Sequence, residues 1–135
     1  MKVIGTVFIF SLVLSLIGCG GTSAPDQSTP EGTLQAVFDA ARTKNFSLLA
    51  NLCDPEGEND GDTQMICDLA TSEQTGEVNR DMFVEVFQKG KIIGRAEFNS
   101  DGTRAEVEFF FGPDGNDEET MNLIKREGQW YLLSF

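Results

Sequence analysis

Carboxylates and cysteines carry the chemistry open to this chain, because its 135 residues include no histidine. That removes the commonest general base and the commonest metal ligand. Ser-His-Asp and Cys-His arrangements are excluded, as are zinc sites of His or mixed Cys/His type. Asp54, Glu56, Glu58, Asp60 and Asp62 alternate along one acidic stretch, with Gly61 beside Asp60. Calcium takes several hard oxygens on a bent loop. In an EF-hand register Glu56, Glu58 and Asp60 are the first three ligands, but the twelfth position is Cys67 rather than Glu. The stretch is therefore read as a solvated loop, with no metal and no cofactor expected. Asp39, Asp68, Asp81 and Glu85 qualify as general bases by residue type alone. Nothing pairs them at a chemically meaningful spacing, so they are read as capping or water-facing groups, and catalysis is not expected.

The elements that position these groups follow from periodicity. Thr29-Pro30-Glu31 starts a helix with a cap, a first-turn proline and an acid at the positive end. Leu34, Val37, Phe38 and Ala41 fall at i, i+3, i+4, i+7 and give it one apolar face, ending near Lys44-Asn45. Phe46 to Leu52 reads as a second short helix, and residues 54–63 as an acidic loop. Met65, Ile66, Leu69 and Ala70 mark a third helical piece, residues 71–78 a loop, and Phe83, Val86 and Phe87 a further helix closed by Gly90. Strand character then takes over. Ile92 to Phe98, Ala105 to Phe111, Glu119 to Arg126 and Gln129 to Phe135 read as four strands, separated by turn residues. Helices first and strands after is an α+β order.

The first nineteen residues differ from everything downstream. Lys2 opens a mostly apolar run from Val3 to Ile17, which ends in Gly18-Cys19. This is the make-up of a secretory signal, and the run is too short to serve as an ordinary spanning helix. Its ending resembles the bacterial lipobox, which implies acylation of Cys19 and cleavage before it. The alternatives are an ordinary cleaved signal or an uncleaved anchor. Residues 1–18 are thus expected to be a signal peptide. Residues 19–29 are expected to be a lipidated cysteine with a flexible tether of about 17 Å coil reach, and residues 30–135 a domain. Export exposes thiols to oxidation, so Cys53 and Cys67 are read as a disulfide pair, with two buried free thiols as the alternative.

Several local patterns, taken in order, resemble the NTF2-like (cystatin-like, cone-shaped) superfamily, most closely small DUF4878-type lipoprotein domains. They are Thr29-Pro30-Glu31 through Ala36-Val37-Phe38, the turn Lys44-Asn45-Phe46, the strand Ala105-Glu106-Val107, and the closing pair Glu119–Lys125 and Glu127–Leu132. Asn45 stands where Asp is usual, and the acidic stretch and the cysteine pair depart from the pattern. The resemblance implies a curved antiparallel sheet of about four strands packed on the helices. It also implies a concave pocket, which is catalytic in some members and a binding or packing surface in others.

Composition narrows the partners. Ten basic residues stand against 22 acidic ones, a formal charge of −12. Such a surface repels phosphate backbones, so nucleic acid is not expected, and it repels anionic headgroups, so membrane contact falls to the lipid anchor. Of the aromatic residues, Phe110 points away from Phe109 and Phe111 on the strand alternation. With Trp130 and Tyr131 it is a candidate pocket or partner surface; core packing is the competing role for such rings. The expectation is an envelope lipoprotein with a non-catalytic binding or interaction module for a small ligand or an envelope protein. The alternative is a cone-fold enzyme, isomerase- or dehydratase-like, acting on a small hydrophobic molecule. Its place is the outer side of the cytoplasmic membrane or, in a Gram-negative host, the outer membrane. By resemblance to proteobacterial sorting, Gly20 after the cysteine favours the latter.

Overall fold

Thr29 begins the first helix. Its Oγ1 accepts the Gly32 amide at 3.0 Å, and Pro30 occupies the first turn, where its missing N–H costs nothing. A computed structural model describes residues 23–71 and 76–135; the leader and Cys19 lie outside the described residues. In chain order the elements are α1 (Pro30–Thr43), a 3-10 turn (Phe46–Leu49), α2 (Gly61–Asp68) and α3 (Gly76–Phe87), then β1 (Lys91–Phe98), β2 (Arg104–Phe111), β3 (Asp117–Arg126) and β4 (Gln129–Ser134). The strands form one antiparallel meander in the order β1-β2-β3-β4. The chain is α+β, with its helices preceding and packing on the sheet in a cone-like arrangement.

Alternation along β2 decides which face is covered. Ala105, Val107 and Phe109 are buried, while Glu106 and Glu108 between them are exposed. Register carries the same face across the sheet, since Val107 lies opposite Met121 and Leu123 opposite Leu132. Leu34, Val37 and Phe38 of α1 complete this core at 0% exposure. Each such burial contributes roughly 1.5–3 kcal/mol. Helix α1 ends at Lys44, which adopts a left-handed φ of 55°. The β3–β4 hairpin turns through Glu127 (φ 49°) and Gly128 (φ 83°), the double positive φ that a two-residue turn requires.

The outer edge of β4 is not left open. Leu132 donates its amide to Leu52 O at 2.7 Å, and Leu132 O accepts the Asp54 amide at 3.3 Å. Cys53 forms a parallel bridge with Leu132 there. Further along, Trp130 donates to Gln27 O at 2.9 Å, and the Gln27 side-chain amide donates to Trp130 O at 2.9 Å. The tether expected over residues 19–29 is therefore shorter on its folded side, because Gln27 supplies partners that the edge strand needs.

Two helix starts also differ from expectation. The acidic stretch turns helical at Gly61, because Asp60 Oδ1 accepts the Thr63 amide at 2.8 Å and caps α2. Helix α3 begins at Gly76, inside the stretch expected to be loop.

Gly90, after α3, is a tight contact. A Cβ there would lie 2.1 Å from a ring carbon of Phe38, which is fully buried and has no room to yield. Gly90→Ala is expected to destabilise the fold by about 1–3 kcal/mol, as overpacked cores do. Denaturant melts check this, and pairing it with Phe38→Leu should recover part of the loss.

Candidate functional site

The acidic stretch is organised around a cation that lies 72 positions away in sequence. Arg126, on β3, meets Asp54 with two parallel bonds: Nε to Oδ1 and Nη2 to Oδ2, each 3.1 Å. The same guanidinium reaches Glu56 at 3.0 Å and Glu58 at 3.4 Å, and Glu58 also meets Arg104 at 3.2 Å. The Asp54 side chain is fully buried, and its two oxygens also accept the amides of Glu56 (3.3 Å) and Glu58 (3.0 Å). Burial pushes the Asp54 pKa up. The Arg126 hydrogen bonds, with those from the Glu58 and Glu56 amides, outweigh it and hold the carboxyl below its ordinary value of 3.8. The Asp54 bonds in turn raise the Arg126 pKa, against the desolvation that lowers it. Three of the carboxylates considered for calcium thus face an arginine, and the loop acts as a clamp. Among the described residues no cluster of three or more Asp, Glu or Cys is arranged to hold a metal. Arg126 carries no motif in its own strand, and only the alternation that turns it away from Leu123 hints at a partner.

Cys53, next to Asp54, is bonded to Cys67 of α2 across 14 positions. Closing that loop stabilises the fold by about 3 kcal/mol in the chain-entropy picture. The clamp and the disulfide together hold α2 against the β4 edge.

The candidate bases do not converge. Asp39 is half-buried, bonds to Gln35 at 3.0 Å and lies 3.5 Å from Arg42. Asp68 is exposed and accepts from Gln64 at 2.7 Å; Asp81 and Glu85 are exposed on α3. Among the described residues the only buried carboxylate is Asp54. The space between helices and sheet is filled by rings: Phe38 against Phe109 (5.8 Å between centroids), Phe109 against Phe111 (5.5 Å), and Phe87 against Phe83 (5.1 Å) and Phe111 (6.0 Å).

Phe110, Trp130 and Tyr131 do not share a surface. Trp130 is buried on the core face, edge-on to Phe98 with centroids 5.6 Å apart. Phe110 is half-buried on the opposite face, across from Lys91 and Glu118. Tyr131 is on the same face as Phe110 but two strands from it; it lies opposite Ile124 of β3 and donates to Gln129 at 2.9 Å.

The apolar opening lies elsewhere, between α2 and α3. Ile66, Leu69, Phe83 and Phe87 form its buried floor, while Met65 and Met82 stand exposed at its rim. The hollow measures about 290 Å³. Arg80 of α3 donates to Leu69 O, just after α2, at 3.2 Å, and its guanidinium lies 4.9 Å from the centre of the Phe46 ring in the 3-10 turn. A larger hollow of about 460 Å³ on the back of the sheet is lined by Glu97, Arg104, Glu106 and Asn122, and none of these polar side chains is buried. The sequence signal for the α2–α3 groove was the doubling of apolar positions, Met65 beside Ile66 and Met82 beside Phe83. That makes each apolar face wider than one core contact needs.

The clamp has a pH signature. Asp54 has a depressed pKa in the fold, so its stabilisation is present above the ordinary carboxylate range and lost as pH falls through the depressed value. Asp54→Asn is expected to lower Tm at pH 7 more than Glu56→Gln, whose parent side chain is 63% exposed. The gap between wild type and Asp54→Asn should shrink below about pH 4. Thermal melts from pH 2 to 7 measure both.

No family model, no curated protein and no solved structure matches this chain.

Proposed function

We propose that this protein is a lipid-anchored envelope lipoprotein whose NTF2-like, DUF4878-type domain is a non-catalytic binding module. The observation that carries the binding reading is the division of the aromatic and acidic side chains. The interior, where a cone-fold enzyme would keep an open cavity, is packed with phenylalanine rings. Among the described residues, the one buried carboxylate is held ionised by Arg126 and is not poised to accept a proton. The α2–α3 groove is an open apolar surface, and among the described residues no nucleophile or base is buried within it. Binding needs that surface and nothing more.

The anchor reading rests on Lys2, the apolar run Val3–Ile17 and Gly18-Cys19. No helix among the described residues is long and apolar enough to cross a membrane. The order of helices and strands and the closing hairpin support the superfamily assignment. In this reading the lipid holds the domain at the bilayer and the groove faces the envelope space.

Cys19→Ala is expected to move the protein from the membrane fraction to the soluble fraction. Mass spectrometry of the wild-type N-terminal fragment should show acyl mass on Cys19. A Cys19→Ala protein that stays membrane-bound at the normal processed size would overturn the anchor. Crosslinking in intact cells tests the binding role, which predicts a defined partner or ligand attached through the domain.

A further inference from the structure

The α2–α3 groove carries a charge pattern that says what fits it. Its walls include the carboxylates of Asp62 and Asp68, and no lining residue is cationic. Among the described residues neither carboxylate takes part in an ion pair; Asp68 meets only the neutral amide of Gln64, at 2.7 Å. This contrasts with the clamp, where each of three carboxylates faces a guanidinium. Uncompensated carboxylates beside exposed apolar side chains favour an occupant with both apolar and cationic groups.

Shape and charge disfavour the other occupants. At about 290 Å³ the hollow is just below the range for small-molecule sites, yet it admits a few anchoring side chains. Anionic amphiphiles meet like charge at Asp62 and Asp68. A second copy brings another net charge of −12 and is repelled in the same way. Exposed methionines at the rim, Met65 at 63% and Met82 at 58%, adapt to irregular apolar surfaces. Two runs of apolar positions, 65/66 on α2 with Leu69 at its cap and 82/83/86 on α3, line a trough of the kind that receives one face of an amphipathic helix.

We infer that the groove docks a short basic amphipathic peptide segment, with its apolar side chains over Ile66 and Phe83 and its lysines or arginines against Asp62 and Asp68. This rests on the binding-module reading above and names the partner class for that module.

The test uses the full processed protein in nanodiscs of zwitterionic lipid, with empty nanodiscs as background. The probe is a leucine–lysine amphipathic peptide of about five helical turns, compared with its leucine–glutamate counterpart. Peroxide footprinting reads the site directly, since Met65 and Met82 are open to oxidation and fully buried Met121 serves as the internal control. The basic peptide is expected to slow oxidation of Met65 and Met82 several-fold, and the acidic peptide to leave both unchanged. Asp62→Asn/Asp68→Asn should weaken binding about tenfold and flatten its salt dependence. Met65→Lys, at an exposed position that leaves the core intact, should remove binding, read as Met82 oxidation that the basic peptide no longer slows. Equal protection by both peptides, or by neither, overturns the inference. So does concentration-dependent protection without peptide, which assigns the groove to a second copy. A photo-crosslinker at position 82 in intact cells separates the two levels. A defined non-basic partner captured there leaves the binding module standing and removes the basic segment; no capture by crosslinkers anywhere on the domain removes the module itself.

Discussion

A buried aspartate must keep a cation beside it, and much of this molecule's architecture follows from that requirement. The Asp54 side chain has no solvent exposure, so its charge is tolerable only with the two bonds from Arg126 and the amides of Glu56 and Glu58. Those bonds fix the chain at Leu52–Asp54 against β3 and β4. Once fixed, this segment pairs with Leu132 and closes the sheet edge. It also places Cys53 where it bonds Cys67, and so hangs α2 beside the sheet. The groove wall therefore depends on an ion pair whose members belong to a loop and a strand that are remote in sequence.

The second constraint is the volume between helices and sheet. Phe38, Phe83, Phe87, Phe109 and Phe111 pack with centroids 5–6 Å apart, the range in which tilted rings attract. Gly90 exists in this arrangement because a side chain there would enter the Phe38 ring. Among the described residues these rings fill the space between the helices and the sheet. Apolar surface beyond what the core consumes emerges between α2 and α3, at Met65 and Met82, and separately at Phe98 on β1.

The regular elements were legible in the sequence because their signals are local. Thr29-Pro30 marks the start of α1, and the alternation of Ala105, Val107 and Phe109 with glutamates marks β2 and its covered face. Helix α2 was harder to delimit. Its cap, Asp60, sits within a run of acids in which any one of several could cap. Phe110 lies on the outer face as alternation requires, but Trp130 does not accompany it. Trp130 aligns with Leu132 on the core side, and a tryptophan there reads no differently in sequence from an exposed one. The partner of Asp54 was not legible at all. A buried ion pair across 72 positions leaves no periodicity, and the acids around Asp54 resembled a solvated or metal-binding loop.

Acidic groups in this chain stand in two settings, and the proposed binding role draws on the second. Asp54, Glu56 and Glu58 are spent internally on Arg126, with Arg104 sharing Glu58. Setting these cation-paired groups aside leaves carboxylates with no ion pair among the described residues, and Asp62 and Asp68 are among these beside an apolar trough. Charge kept only for solubility gains nothing from lying next to exposed methionines, since it can be placed anywhere on the surface. Charge kept for recognition gains most there, because a partner that covers the trough also lowers the local dielectric around each carboxylate and strengthens its attraction for a cation. The apolar floor and the acidic wall therefore reinforce one another only when something basic and amphipathic occupies the groove.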